Sequence, residues 1–219
     1  MKAVCILSGG IDSTTLLYRM LKEGFEVLPI SFFYGQKHSK ELKMASLTCA
    51  KLNLKHKIID LSSMSDLLKS ALTTKDIAVP EGHYQAENMK QTVVPNRNMI
   101  FLSISAGIAY STGAKIIGIG VHTGDHAIYP DCRESFIQDF ERLVNKGNEW
   151  FDELRIYAPY INKNKIDIVK DGLSIGVDYS LTWTCYKGGE KACGKCGSCI
   201  ERLEAFNKNN AQDPLEYES

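Results

Sequence analysis

The sequence predicts an α/β protein, a doubly wound and mostly parallel sheet with a small cysteine-rich segment at its C-terminal end. Three observations predict it. Short apolar runs alternate with segments of helical periodicity along the chain, which implies parallel strands covered by helices on both faces. The first apolar run passes straight into a glycine turn, "SGGIDS" at residues 8–13. Beyond residue 180 the composition shifts, and four of the seven cysteines fall between 185 and 199. We expect an α/β body over 1–180 and a tail over 181–219 packed on it.

The elements follow in order. "KAVCIL" (2–7) reads as a buried strand, and residues 13–23 place Leu16, Leu17, Met20 and Leu21 at helical spacing until Gly24 stops the helix. "EVLPIS" (26–31) reads as a second strand, with Pro29 a mild objection because proline lacks a ladder donor. A helix over 39–53 and a strand over 55–61 come next, then a short helix near 64–71. Residues 72–97 hold two prolines and many polar residues and read as a long loop. Asn98 is placed to cap an apolar helix over 99–112. A strand at 115–121, a polar loop at 122–132, a helix at 133–146, a strand at 155–160 and an Asn164-capped helix at 165–174 complete the body. The glycine turn and the loops at 31–38 and 122–132 all follow strands. They should gather on the rim where parallel sheets bind ligands.

Composition narrows the function. The 219 residues carry a formal net charge of zero and a sequence pI of about 6.9, which argues against nucleic acid as an obligatory partner. The longest apolar stretch, 99–109, is interrupted by Ser103 and Ser105 and falls short of the roughly 20 residues that span a bilayer. No secretory signal opens the chain, so we expect a cytoplasmic protein with reduced thiols and no membrane partner.

A helix N-terminus presents unpartnered amides and partial positive charge. The turn at its start offers glycine freedom and the hydroxyls of Ser8, Ser13, Thr14 and Thr15, which together make a cradle for a polyphosphate. A Walker loop would need a lysine, yet none lies between Lys2 and Lys22, and the dinucleotide fingerprint would need a third glycine. Asp12 beside a phosphate implies Mg²⁺ between them, or else a helix cap. Cys185, Cys193, Cys196 and Cys199 have the spacing C-x7-C-x2-C-x2-C, which suits a closed, structural Zn²⁺ site. An iron–sulfur cluster, a redox pair and four unrelated cysteines are the alternatives. Cys5 and Cys49 read as packing residues, whereas Cys132 lies in a polar loop.

The S-G-G-x-D-S turn after the first strand resembles the PP-loop of the adenine nucleotide alpha-hydrolase superfamily. Four further stretches, "YGQKHSKE" (34–41), "VPNRN" (94–98), "YPDCRESF" (129–136) and "TCY" (184–186), sharpen the likeness. With them the chain resembles the 7-cyano-7-deazaguanine synthase family, from the first strand to Cys199. Two departures stand out: Asn96 where glycine is common, and "HTGDH" (122–126) where an acidic–Thr–Asp sequence is common.

The resemblance implies ATP-dependent conversion of 7-carboxy-7-deazaguanine and ammonium to a nitrile, with Mg²⁺, structural zinc and a homodimer. It implies nucleotide binding by Leu7, Ser8, Gly9, Gly10, Ile11, Asp12, Ser13, Thr14, Thr15, Leu16 and Leu17. Candidate catalytic groups are Asp12, Ser13, Arg97, Asp131, Arg133 and Lys163. Candidate substrate contacts are Tyr34, Gln36, Lys37, His38, Arg97, Asp125, Asp131, Arg133 and Tyr186. A carboxylate, Asp131 or Asp125, suits the paired N–H donors of a deazapurine edge. Arg97 and Arg133 suit phosphate or carboxylate, and Lys163 could reach a phosphate. Each also has a plain structural reading, as surface charge, helix cap or core aromatic. A PP-loop tRNA sulfurtransferase and a non-catalytic nucleotide sensor are the rival functions.

Overall fold

The computed structural model describes residues 1–36, 39–65, 67–74 and 87–218, with the backbone alone at 87–89. Lys37, His38 and the middle of the expected 72–97 loop, residues 75–86, lie outside the described residues. Five parallel strands, β1 (Lys2–Ile6), β2 (Glu26–Phe33), β3 (Lys57–Asp60), β4 (Ile116–Gly118) and β5 (Arg155–Tyr157), pair in the order β3-β2-β1-β4-β5. The order reverses between β1 and β4, so the carboxyl ends of these two strands flank the crevice where such sheets take ligands.

Alternation along β1 sorts its side chains onto two faces. Ala3, Cys5 and Leu7 pack under α1 (Ile11–Lys22), α2 (Lys40–Lys51), α5 (Lys165–Ser174) and α6 (Gly197–Lys208). Val4 and Ile6 pack on the other face, against α3 (Arg97–Thr112) and α4 (Glu134–Lys146). Cys5 and Cys49 sit in the first of these layers, fully buried. Burial pushes both thiols up, Cys49 to about 11, as expected of packing residues.

Pro29 costs this sheet little. The Ile30 carbonyl accepts from Leu7 on the β1 side, and the Phe33 carbonyl accepts from Leu61 on the β3 side. By alternation the missing Pro29 donor points towards β3, and that ladder begins only at Ile30 opposite Lys57. The α1 helix ends before Gly24, whose φ of +82° turns the chain out of it.

Three local expectations need correction. The helix near 64–71 is a 3₁₀ turn at Ser62–Met64 followed by further turns among the described residues. The Asp60 carboxylate takes the Ser62 amide there, and so short a segment cannot recover the cost of helix nucleation. Asn98 does not cap α3 but lies inside it. The chain enters this helix through Asn96 in the left-handed region, φ +59°, which asparagine tolerates and glycine prefers. The strand at 115–121 keeps its ladder only to Gly118. By Gly120 the backbone packs against the Asp12–Ser13 peptide, where a Cβ would sit 3.1 Å away.

The chain beyond residue 180 joins the body through a buried cation. Arg202 of α6 binds Asp213 through Nε (2.7 Å) and Nη2 (2.9 Å), with further donors on the Thr182 hydroxyl and the Tyr179 carbonyl. Its side chain is 1% exposed and that of Asp213 is 4% exposed. Arg202→Met should strand the Asp213 charge and cost about 3–5 kcal/mol in urea unfolding. The double variant with Asp213→Leu is expected to recover part of that loss.

Candidate active site

Beyond β1 and β4 lies a cleft of about 230 Å³. The glycine turn forms its floor. Gly9 has φ +94°, and a Cβ there would overlap the Glu41 carbonyl, so α2 and the turn approach as only glycine allows. No side chain caps α1. The two serines hold the turn instead: Ser13 Oγ accepts the Ser8 amide at 3.1 Å and lies 2.9 Å from Ser8 Oγ, while the Gly10 amide donates to Ser8 Oγ at 3.3 Å. Leu7, Ser8, Gly10, Asp12 and Ser13 line the cleft. Ile11, Thr14, Thr15, Leu16 and Leu17 are fully buried behind it; Thr15 Oγ1 bonds the Ile11 carbonyl at 2.8 Å and lies 2.9 Å from the Tyr179 hydroxyl. None of these five lines the cleft.

Asp12 neither caps α1 nor stands alone. Both of its oxygens accept from Lys165 Nζ, at 2.7 and 2.6 Å. Burial works to raise the Asp12 carboxyl, but Lys165 and His122 outweigh it and hold it below the usual carboxylate range. Burial likewise works against the Lys165 charge, and Asp12, Glu201 and Asp125 more than restore it. Glu201 Oε2 lies 3.4 Å from the same ammonium. His122 completes the group. Its Nδ1 accepts the Gly124 amide at 3.1 Å, so in the neutral ring the proton sits on Nε2. That nitrogen faces Asp12 at 3.8 Å and Asp125 at 3.6 Å.

At the other end the cleft is aromatic and cationic. Phe32 stacks on Phe101 at 4.2 Å, and Tyr34 tilts against the same ring at 5.5 Å. The Arg97 guanidinium lies 5.5 Å from the Tyr129 ring, and burial raises the Tyr34 hydroxyl's pKa despite the opposing charge of Arg97. Gln36 reaches the cleft but also closes its own loop, accepting the Tyr34 amide at 2.9 Å and donating to the Phe32 carbonyl at 3.3 Å. Tyr186, Asp125 and Cys132 also line the cleft, as does Glu41, whose carbonyl packs on Gly9.

Three candidates from the sequence are not brought into the cleft. Asp131 Oδ2 accepts the Asn98 amide at 3.0 Å, so it caps α3 from across the chain and not the helix that follows it. Arg133 is exposed and donates to the His126 carbonyl at 2.9 Å. Lys163 is exposed, and its carbonyl serves the Thr123 amide and hydroxyl, both at 2.9 Å. Lys165, two residues on, takes the inward position. Asn164 and Asp167 form a full capping box, which fixes Lys165 as the first residue of α5 and turns it onto Asp12. Sequence alone offers two lysines around one cap and no means of choosing between them. Glu41 was visible within "YGQKHSKE" but carried no assigned role, and Glu201 had no local signal.

The four C-terminal cysteines converge. All are buried, and their sulfurs lie within 4.8 Å of one another. Thiolates at 2.3 Å from a tetrahedral centre would stand about 3.8 Å apart. Backbone amides already point at these sulfurs, Cys196 to Cys193 Sγ at 3.3 Å and Cys193 to Cys185 Sγ at 3.4 Å. The donor set fits a metal. The segment also touches the floor of the cleft: the Trp183 amide donates to the Gly9 carbonyl at 2.9 Å, and its indole donates to the Cys185 carbonyl at 3.0 Å.

A family model described as queuosine biosynthesis protein QueC matches residues 2–210. The 7-cyano-7-deazaguanine synthase of Caldicellulosiruptor bescii is 56% identical over 218 residues, 100% of this chain and 98% of that protein. The enzyme of the same name from Methanoregula boonei is 56% identical over 100% of both chains. Among solved structures, NMN synthetase from Francisella tularensis has a TM-score of 0.55 at 14% identity, over 96% of this chain and 77% of that one. A 4-thiouridine synthetase in an RNA complex with bound ATP has a TM-score of 0.53 at 20% identity, over 93% of this chain and about half, 49%, of its own. These two share the fold.

The two lysines give a direct test. Lys165→Met should leave Asp12 uncompensated and lower stability by about 3–5 kcal/mol in urea titration. Lys163→Met should stay within about 0.5 kcal/mol of the unaltered protein.

Proposed function

This chain belongs to the QueC family of queuosine-biosynthesis proteins, and from that premise we propose that it is an ATP-dependent carbon–nitrogen ligase making 7-cyano-7-deazaguanine from 7-carboxy-7-deazaguanine and ammonium. One observation carries the reading beyond family membership. A single cleft joins an uncapped helix N-terminus, suited to a polyphosphate, to an aromatic and cationic end suited to a flat anionic heterocycle.

The chain's own groups divide the work. The amides of Ile11, Asp12 and Ser13 and the hydroxyls of Ser8 and Ser13 take the polyphosphate. Lys165, held by Asp12 and Glu201, keeps a fixed positive charge beside it. Mg²⁺ would draw ligands from Asp12, Asp125 or Glu201 and supply charge neutralisation on the phosphates. Arg97 offsets the substrate carboxylate. Asp125, the one of the two expected carboxylates that lines the cleft, accepts from the donor edge of the base. A carboxylate is a poor electrophile, so its oxygen takes AMP from ATP and ammonia displaces the AMP to give an amide. A second transfer to the amide oxygen, followed by elimination, leaves the nitrile. Phe32, Phe101 and the rings around Arg97 keep water from the activated acyl group.

Four buried cysteines with no open position would make a metal held there structural, and Zn²⁺ suits the set. It would brace residues 181–219 as a unit on the 1–180 body and, through Trp183, steady the Gly9 turn. The neutral net charge and the gathering of four cysteines into one buried site weigh against a sulfurtransferase. A furnished second end to the cleft weighs against a nucleotide sensor. Free ammonium as nitrogen source, a homodimer and a cytoplasmic setting belong to the same reading.

Mass spectrometry after incubation with ATP, ammonium and 7-carboxy-7-deazaguanine should show the amide and then the nitrile; absence of both removes the reading. Cys196→Ser should lose the metal, measured as zinc per chain, and lower the melting temperature. Retention of both would refute a structural metal.

A further inference from the structure

Four carboxylates line the cleft: Asp12, Glu41, Asp125 and Glu201. Three are committed to nearby cations or to the His122 ring. Asp12 and Glu201 hold Lys165, and Asp125 faces His122 Nε2 at 3.6 Å. Glu41 differs. It opens α2 on the far side of the glycine turn, and its carbonyl packs on Gly9. Among the described residues its carboxylate has no hydrogen bond and no ion pair. Its position is nonetheless built, because the Gly9 contact and the buried Leu42 and Ala45 of the same helix fix its backbone. It lies on the wall between the Ser8–Ser13 turn and the Arg97 end, which is where the transferred group and the acceptor oxygen must meet.

The reaction proposed above needs such a group. Three N–H protons leave nitrogen along it, one as the amide forms and two as the nitrile forms; Asp12 and Glu201 are held on Lys165, and Asp125 is assigned above to the donor edge of the base. We propose that Glu41 is the proton acceptor of nitrile formation, an inference that rests on the ligase reading and assigns it a specific group. When ammonia attacks the adenylated carboxyl carbon, a C–N bond forms, the C–O bond to AMP breaks with its electron pair leaving on AMP, and one N–H proton passes to Glu41. That proton is lost to solvent before the second cycle. Adenylation of the amide oxygen leaves a protonated imidate with two N–H protons; Glu41 takes the first and passes it to solvent, then takes the second. The electron pair forms the third C–N bond, and AMP leaves with the oxygen.

The electrostatics agree with the geometry. Burial raises the Glu41 carboxyl, Arg97 lowers it, and Asp12 and Cys185 raise it again, to about 7; Tyr34 shares this field. A group near that value accepts and releases protons readily at neutral pH. It must be ionised to act, so the rate should fall as pH drops below about 7.

Glu41→Gln separates the steps. Adenylation uses the substrate's own oxygen and needs no proton acceptor. The variant should therefore keep pyrophosphate exchange into ATP, dependent on 7-carboxy-7-deazaguanine, within a few fold. Conversion to amide and nitrile should fall by about a hundredfold or more, and the acid limb of the pH–rate profile should vanish. Glu41→Asp, which keeps a carboxylate one methylene back, should retain part of the rate and a displaced acid limb. Equal loss of exchange and product formation in both variants, with melting temperature unchanged, would make Glu41 a binding residue and overturn the proposal. So would full product formation by Glu41→Gln. Failure of the unaltered protein to support any exchange would count against the ligase reading itself.

Discussion

The contact between Asp12 and Lys165 ties together the parts of the molecule that make the cleft. Asp12 stands in the first turn of α1, and Lys165 is the first residue of α5, 153 positions later. Each charge is expensive in isolation, and each is retained because the other is within hydrogen-bonding distance. The pair sets the distance between two helix N-termini whose own partial charges are both positive. His122 from the loop after β4 and Glu201 from α6 then close around it. Four stretches with no sequence proximity thereby converge on one ion pair, and the uncapped start of α1 stays open to a ligand.

The C-terminal segment enters this arrangement as a brace. Its cysteines sit beneath Trp183, whose amide holds the Gly9 carbonyl. Gly9 must keep a positive φ and a close approach to α2 at once. A turn under such constraint gains from a rigid neighbour, and a segment this polar gains rigidity from a metal more readily than from apolar burial. Arg202 serves the same end from the other side, fastening α6 to the Asp213 stretch and to the Thr182 hydroxyl just before Trp183.

The cleft is polarised along its length. One end carries helix amides and the Lys165 ammonium; the other carries aromatic faces and Arg97. Cations at both ends suit two anionic reactants brought together, since each would repel the other in the absence of compensating charge. Asp12 and Glu201 both sit on the Lys165 ammonium, which with His122 holds the Asp12 carboxyl below the usual carboxylate range.

The fold was legible in the sequence because its signals are local. Apolar alternation placed all five strands, Gly24 marked the end of α1, and the Asn164 cap marked the start of α5. The glycine turn and the four-cysteine set were legible for the same reason: each is a short run whose spacing encodes its geometry. The rest depended on contacts across the chain. Asn98 looked like a cap because the true cap, Asp131, comes 33 residues later. Arg133 and Lys163 looked available because exposure is not written in residue type. Lys165 and Lys163 differ only in which way a helix start faces, and the docking of α5 on α1 decides that. Glu41 and Glu201 acquire their surroundings only when α2 and α6 pack beside the turn. Side-chain chemistry and local spacing are properties of the sequence, whereas which charges meet is a property of packing, because a buried ion pair requires both partners to be desolvated in the same place.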